Sequence, residues 1–131
     1  YEVMRTNSIA KKNRAIQTKL EKVISYTKQT MVAYMSEEDL NRLCTYVAEY
    51  SSGDTLQKIT PVKVDSQLKS IDIMHFGWNI GKAFGIKRIH TATFIKNVFA
   101  HTLRDLEIST IERKMSHTES ECYIKLQQLK E

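Results

Sequence analysis

A run of basic side chains without acidic neighbours is the first feature of this sequence that suggests chemistry. Between Asp72 and Asp105 there is no acidic residue, and the basic residues in the interval are Lys82, Lys87, Arg88, Lys96 and Arg104. A surface of one charge attracts ligands of the opposite charge, so this stretch favours an anionic partner such as nucleic acid. The ordinary alternative is a charged face that only contacts solvent.

A second set of polar residues lies along a predicted short helix. Its members carry hydroxyl, cationic or imidazole groups: Ser109, Thr110, Arg113, Lys114 and His117. Ser109 and Glu112 have the spacing of a capping box, which predicts that the helix begins there. Ile111 and Met115 form its apolar side. A short helix with arginine, lysine and hydroxyl groups facing outward is typical of a DNA recognition helix.

The two groups together predict a surface that binds double-stranded DNA. The predicted contact residues are Lys87, Arg88, Lys96, Ser109, Thr110, Arg113, Lys114 and His117. Lys87 and Arg88 are expected to neutralise phosphates, and Arg113 is expected to reach base edges. The alternative is a helical protein–protein interaction module, in which the methionines of the first helix dock a partner helix and the charge is incidental.

No catalytic or metal-binding pattern is recognisable elsewhere. Cys44 and Cys122 have no CxxC partner, and the four histidines are scattered along the chain, which gives no zinc spacing. His75 lies in an apolar stretch and is expected to be a core histidine and not a base. We therefore expect a protein that is not an enzyme and that uses no metal and no cofactor.

The first element that must position these residues is a long helix predicted over residues 8–35. Its apolar stripe has helical spacing and consists of Ile9, Ile16, Leu20, Val23, Ile24, Met31, Tyr34 and Met35. Ser36 and Asp39 predict the start of a second helix, and Gly53 predicts its end. The two helices form a predicted N-terminal hairpin, residues 1–54. Because the first stripe is long for one small bundle, a homodimer through this helix is expected.

A helix-turn-helix or winged-helix-like unit is predicted over residues 65–131. Its three helices are expected at residues 66–84, 91–103 and 109–117, with Asp65 or Ser66 as the first cap. Residues 55–64 form either a linker, which we favour, or a short edge strand. The segment that begins at Thr118 is either a last helix or a wing strand. The connection before the fifth helix is longer than a helix-turn-helix turn, which a winged helix tolerates better.

The third helix is expected to be the most buried, because apolar residues lie on two of its faces. Trp78 lies on one of these stripes and is expected to be largely buried. Gly77 and Gly81, four residues apart, predict that another helix crosses closely. Gly85 is suited to the left-handed conformation that ends a helix.

The whole-chain composition agrees with one compact all-α domain. The chain has 131 residues with one proline and four glycines, too few turn residues for a β-sandwich. Its net charge is +5, which again favours anionic partners. No run of apolar residues is long enough to span a membrane. Two isolated cysteines indicate a reducing, cytoplasmic compartment.

One further pattern in the C-terminal region consists of Phe94-Ile95-Lys96, Phe99, Leu103, Ile111, Arg113-Lys114 and Thr118. In these residues the region resembles RteC-type proteins, which are regulators carried by bacterial conjugative transposons. The resemblance implies an all-helical protein with a winged-helix-like C-terminal part. It also implies transcription regulation, through binding to the promoter DNA of excision genes of a mobile element.

Overall fold

The computed structural model describes residues 2–52, 59–117, 122–127 and 129, and it describes side chains from Gln17 onward. This part of the chain contains five α-helices: α1 Glu2–Met31, α2 Glu37–Ser51, α3 Ser70–Phe84, α4 Arg88–Val98 and α5 Ile108–Lys114. No strand occurs among the described residues. The predicted all-α class is therefore confirmed.

Helix α1 ends earlier than the predicted residue 35. The carbonyl oxygen of Tyr34 accepts the N–H of Asp65 at 2.6 Å, and this long-range bond holds the chain in a turn after Met31. Val23, Thr27 and Met31 are buried. The Thr27 hydroxyl donates to the Val23 carbonyl oxygen at 2.8 Å, so its burial leaves no unsatisfied donor. The side chains of Ile9 and Ile16 lie outside the described ones.

Helix α2 begins where the sequence predicts. The Ser36 hydroxyl oxygen accepts the Asp39 N–H at 3.2 Å, which satisfies one of the free donors of the first turn. Arg42 then donates to Asp39 at 2.6 Å and to the Pro61 carbonyl oxygen at 3.1 Å. The second bond ties α2 to the chain that follows it. Gly53, the predicted stop, lies outside the described residues.

The described part of the predicted linker, residues 59–64, forms neither helix nor strand. The Tyr46 hydroxyl accepts the Thr60 N–H at 2.9 Å, and the Val62 N–H donates to the Val98 carbonyl oxygen at 2.9 Å. Val62 itself is buried. This stretch therefore packs against both α2 and the end of α4.

Helix α3 begins later than predicted, so the assignment of its cap to Asp65 or Ser66 is wrong. The Asp65 carboxylate accepts the Gln67 N–H at 3.2 Å, and its carbonyl oxygen accepts the Leu68 N–H at 3.0 Å. Asp65 therefore stabilises a separate turn. The helix starts at Ser70, where the Asp72 carboxylate reaches back to the Lys69 N–H at 2.9 Å.

The close crossing predicted from the two helical glycines is confirmed. A Cβ atom on Gly77 would lie 2.8 Å from the Ile95 side chain, and one on Gly81 would lie 2.5 Å from Thr91 Oγ1. Both contacts are with α4, so any larger residue would push the two helices apart. Gly85 has φ of 70° at the end of α3, the left-handed conformation that the sequence predicts.

The core lies around the α3–α4 crossing and is rich in rings. Phe76 stacks on Tyr26 of α1 at 5.9 Å between centroids and meets Phe99 edge-on at 6.0 Å. Tyr50 of α2 stacks on Phe94 at 4.2 Å, and its hydroxyl forms a hydrogen bond with Thr91 Oγ1. These ring contacts join α1 and α2 to the α3–α4 pair.

Trp78 packs against the core but is not fully buried, unlike its neighbours Gly77 and Asn79. The Lys82 ammonium lies 5.0 Å from the centre of its ring. This cation–π contact occurs at the surface of α3, because Lys82 is exposed.

The bounds of α4 and α5 also differ from the prediction. Helix α4 starts at Arg88 and ends at Val98 and not at Leu103, because the Val98 carbonyl oxygen is taken by the Val62 N–H. Helix α5 is preceded by Glu107 and has no side-chain cap, so the Ser109–Glu112 capping box is wrong. The buried Ile111 anchors its start.

Residues 122–127 form neither the predicted last helix nor the wing strand. They lie against α3 in an irregular conformation, with Cys122 and Ile124 buried and with main-chain bonds to α3 side chains. Those bonds replace the ones that a helix or a strand would make. Thr118, the predicted start of the segment, lies outside the described residues.

Among the described residues, no helix has the length and apolar character that would be needed to cross a membrane.

The contact of Gly81 with α4 predicts whether Gly81→Ala stabilises or destabilises the protein. In an open helix, Gly→Ala stabilises by about 1 kcal/mol. Here Gly81→Ala is expected to lower the free energy of unfolding by about 1–3 kcal/mol, because the new methyl group meets Thr91. Urea unfolding followed by circular dichroism measures the change. An increase in stability would show that the crossing is looser than described.

The predicted homodimer concerns the side of α1 where Leu20, Ile24 and Lys28 line a shallow open groove. If this side pairs two molecules, light scattering will give the mass of a dimer, and Leu20→Glu will give a monomer because it places a charge in an apolar contact. Thr18→Glu is the control and retains the dimer, because Thr18 is exposed on α1 outside the groove. A monomer at every accessible concentration would exclude the dimer.

Candidate nucleic-acid interface

The start of α4 and the end of α5 are joined by one side chain. Arg88 Nη2 donates to the Glu112 carbonyl oxygen at 2.5 Å and lies 3.5 Å from the Arg113 carbonyl oxygen. Its Nη1 donates to Ser116 Oγ at 3.1 Å. The last carbonyls of a helix lack partners and carry partial negative charge. The Arg88 guanidinium therefore caps α5 and holds it against α4.

The role of Arg88 in the structure therefore differs from the role that the sequence predicts. The prediction treats Arg88 as a free phosphate contact beside Lys87. The structure uses its donors on α5, although the side chain is exposed. We assign Arg88 to positioning α5, with its charge still contributing to the local field.

Lys96 is engaged in a similar way at the other end of the helix pair. Its ammonium donates to the Leu106 carbonyl oxygen, just before α5 begins, and the side chain is half-buried. Lys96, one of the predicted contact residues, is therefore bonded within the fold. Since Lys96 holds one end of α5 and Arg88 holds the other, both cations fix the position of this short helix.

The remaining predicted contact residues lie on or beside α5. Lys87, Ser109, Arg113, Lys114 and His117 are exposed, and Thr110 is half-buried. Ser109 and Arg113 are four residues apart and so share one face of the helix. Ile111 and Met115 are buried beneath it. Within the described residues, no ion pair involves Lys87, Arg113 or Lys114.

The structure divides the predicted residues between the two ends of α5. Lys96, Ser109 and Thr110 lie near its start, while Arg88, the neighbour of Lys87 in the chain, contacts the turn that contains Arg113. Helix α5 has seven residues, a length of about 10 Å. The cationic and hydroxyl groups are thus spread along a short, exposed edge.

Sequence reasoning left Lys82 and Trp78 out of the site. Both line a shallow depression next to Arg88, together with Gly81, Ile86, Thr91 and Met115. The signal was available, because residues four apart on a helix lie on the same face. Lys82 therefore adds a further positive charge beside the α4–α5 junction, over an aromatic ring.

Burial shifts the pKa of two groups on α2 so that their neutral forms are favoured. Burial raises the pKa of the Tyr50 hydroxyl to about 12, although its hydrogen bond with Thr91 acts in the opposite direction. Burial also raises the pKa of the Cys44 thiol, which disfavours the reactive thiolate. Among the described residues, no group of His, Cys, Asp and Glu side chains is arranged to hold a metal ion.

Comparisons with known proteins give no match for this chain: none with a protein-family model, none with a curated protein and none with a solved structure. The arguments for function therefore come from the residues at the α4–α5 junction.

The capping role of Arg88 is testable by stability. Arg88→Ala is expected to lower the free energy of unfolding by about 1–2 kcal/mol, because it removes charge-assisted bonds to the end of α5. Hydrogen exchange should also quicken in α5. Lys87→Ala is the matched control, with a change within about 0.5 kcal/mol. Equal effects of the two substitutions would contradict the cap.

Proposed function

We propose that this protein binds double-stranded DNA through the surface formed by the start of α4 and by α5. One observation carries the proposal. Arg113 and Lys114 are exposed in the last turn of α5, and Arg88 holds that turn beside Lys87. Lys87, Arg113 and Lys114, which have no ion-pair partner among the described residues, thus lie near one junction. The phosphate backbone of DNA binds most strongly where such cations are concentrated.

Within this surface, Lys87 serves mainly as a phosphate contact. It precedes the first turn of α4 and is exposed. A phosphate contact of this kind orients the protein on the duplex but carries no sequence information. Lys82, on the neighbouring side of the depression, extends the same positive field.

The exposed face of α5 is the better candidate for reading base edges. Ser109 and Arg113 share this face, and Arg113 can form two hydrogen bonds with a guanine edge. The major groove is about 12 Å wide and admits an α-helix, whose diameter with side chains is about 10–12 Å.

The narrower form of the proposal is a transcription regulator of a mobile genetic element, of the RteC type. It is supported by the resemblance of residues on α4 and α5, among them Phe99, Ile111 and Arg113. In this form the DNA would lie upstream of genes of the same element.

A helical protein–protein interaction module is the second candidate. The open groove beside Leu20 and Ile24 on α1 favours it, since apolar grooves on helices accept partner helices. The two functions differ in their response to salt: phosphate contacts weaken steeply as ionic strength rises, and apolar docking does not.

Two substitutions should give different effects on DNA binding. On a mixed-sequence duplex, Lys87→Ala is expected to weaken binding to all sequences and to reduce the salt slope by about one unit. On a site selected from a duplex library, Arg113→Ala is expected to cost about 1–3 kcal/mol and to relax specificity at one position. Fluorescence anisotropy measures both.

Arg104→Ala is the matched control. Arg104 lies in the connection between α4 and α5, its side chain is 80% exposed, and its Nε is 3.8 Å from the Asp105 carboxylate. Its removal is expected to change DNA binding by less than about 0.5 kcal/mol. If the wild-type protein binds no duplex at low salt, the proposed function is wrong.

A further inference from the structure

Three buried polar side chains form a stripe along α3. They are Asp72, His75 and Asn79, with exposures of 1%, 1% and 0%. Each of them contacts the main chain of residues 122–127, which we call the C-terminal strap. The side chains of the stripe therefore form hydrogen bonds with the peptide groups of the strap.

At the two ends of the stripe, donors and acceptors are correctly matched. Asp72 Oδ1 accepts the N–H groups of Tyr123 and Ile124 at 2.6 and 3.0 Å. Asn79 Nδ2 donates to the Lys125 carbonyl oxygen at 2.9 Å, and its Oδ1 accepts the Gln127 N–H at 2.8 Å. These contacts need no change of protonation, because a carboxylate accepts and an amide does both.

His75, in the middle, faces two acceptors. Its Nδ1 lies 2.8 Å from the Ile124 carbonyl oxygen, and its Nε2 lies 2.6 Å from the His117 carbonyl oxygen. A neutral imidazole has one N–H group, so it would leave one nitrogen lone pair against a carbonyl oxygen. The imidazolium form has two N–H groups and satisfies both contacts.

We propose that His75 is protonated in the folded protein and acts as a pH-sensitive clasp for the C-terminal strap. The charged ring joins the turn after α5, through His117, to the strap, through Ile124. Loss of the proton removes one of the two bonds. The bare nitrogen then faces a carbonyl oxygen without a proton between them, which weakens the attachment of both the turn and the strap to α3.

Several charged or titratable groups lie near His75. A buried cation needs an opposite charge, and the Asp72 carboxylate lies one turn earlier on the same face of α3. The other titratable groups on the elements packed around it are Tyr26 on α1, His117 after α5, and Cys122, Tyr123 and Lys125 on the strap. Burial raises the pKa of Tyr26, so this hydroxyl stays neutral.

The direction of the pH effect follows from which form binds. The folded strap favours protonated His75, so the clasp is present at low pH and is lost as pH rises and the ring loses its proton. A free histidine changes charge near about pH 6.5. Comparison of about pH 6 with about pH 9 therefore brackets the effect.

The first experiment observes the proton directly in the wild-type protein. Nitrogen-15 NMR of the imidazole rings at about pH 6 is expected to show protons on both ring nitrogens of His75. His101, which is exposed, is the internal reference for an ordinary histidine. A neutral tautomer of His75 at that pH, with one bare nitrogen, would overturn the proposal.

The second experiment measures the strap. Hydrogen-exchange protection of the Tyr123, Ile124 and Gln127 amides, corrected for intrinsic exchange, is expected to fall at least about tenfold from about pH 6 to about pH 9. Amides of α2 should keep their protection. Unchanged protection of the strap would overturn the clasp.

A matched pair of variants tests whether His75 is responsible. Glutamine donates and accepts but does not titrate, so His75→Gln is expected to make strap protection independent of pH, whatever its level. His101→Gln should keep the wild-type dependence. If the dependence survives in His75→Gln, the proposal is wrong; if that variant does not fold, the ring protons of the wild type decide. None of these readouts involves DNA, so the clasp can fail or hold independently of the proposed function.

Discussion

The arrangement of this protein depends on the close approach of α3 and α4. Gly77 and Gly81 leave room for Ile95 and Thr91 and for nothing larger. At the same point Thr91 bonds to the Tyr50 hydroxyl, so α2 is fixed to the crossing as well. The crossing also sets where α4 begins, and therefore where Arg88 meets α5. The position of the candidate interface thus depends on two glycines in the core, whose lack of a side chain allows the close crossing.

The opposite side of α3 solves a different problem. Asp72, His75 and Asn79 are buried, and buried polar groups are costly unless each finds a partner. The C-terminal strap supplies those partners from its main chain. The strap in turn needs no regular secondary structure, because α3 satisfies its peptide groups. Helix α3 therefore packs on one side by shape and on the other by hydrogen bonds.

Local signals in the sequence predicted local features correctly. The all-α class, the cap at Ser36 and the left-handed Gly85 follow from composition or from one or two neighbouring residues, and the glycine pair announced the crossing. The starts of α3 and α5 and the end of α4 were wrong, because distant contacts decide them: the Val98 carbonyl oxygen, for example, accepts from Val62. In the candidate site, exposure of Arg113 and Lys114 follows from their positions on a predicted helix, and that of Lys87 from its position in the turn between two predicted helices. The bonds of Arg88 and Lys96 could not be predicted in this way, since their partners are main-chain carbonyls of other elements.

The stripe on α3 had a readable helical spacing, but its partner segment was expected to be a helix or a strand.

A helix of seven residues is not stable by itself in water. Helix α5 is held from below by Ile111 and Met115, which are buried, and at its ends by Lys96 and Arg88. None of these four contacts uses the exposed face that carries Ser109 and Arg113. Substitutions on that face can therefore occur without loss of the helix. A binding surface needs this independence if its contact residues are to vary while its position stays fixed. The two cations that the fold uses at the ends of α5 and the cations it leaves exposed, Lys87, Arg113 and Lys114, thus perform separate tasks: the first pair sets the geometry, and the second group provides the charge.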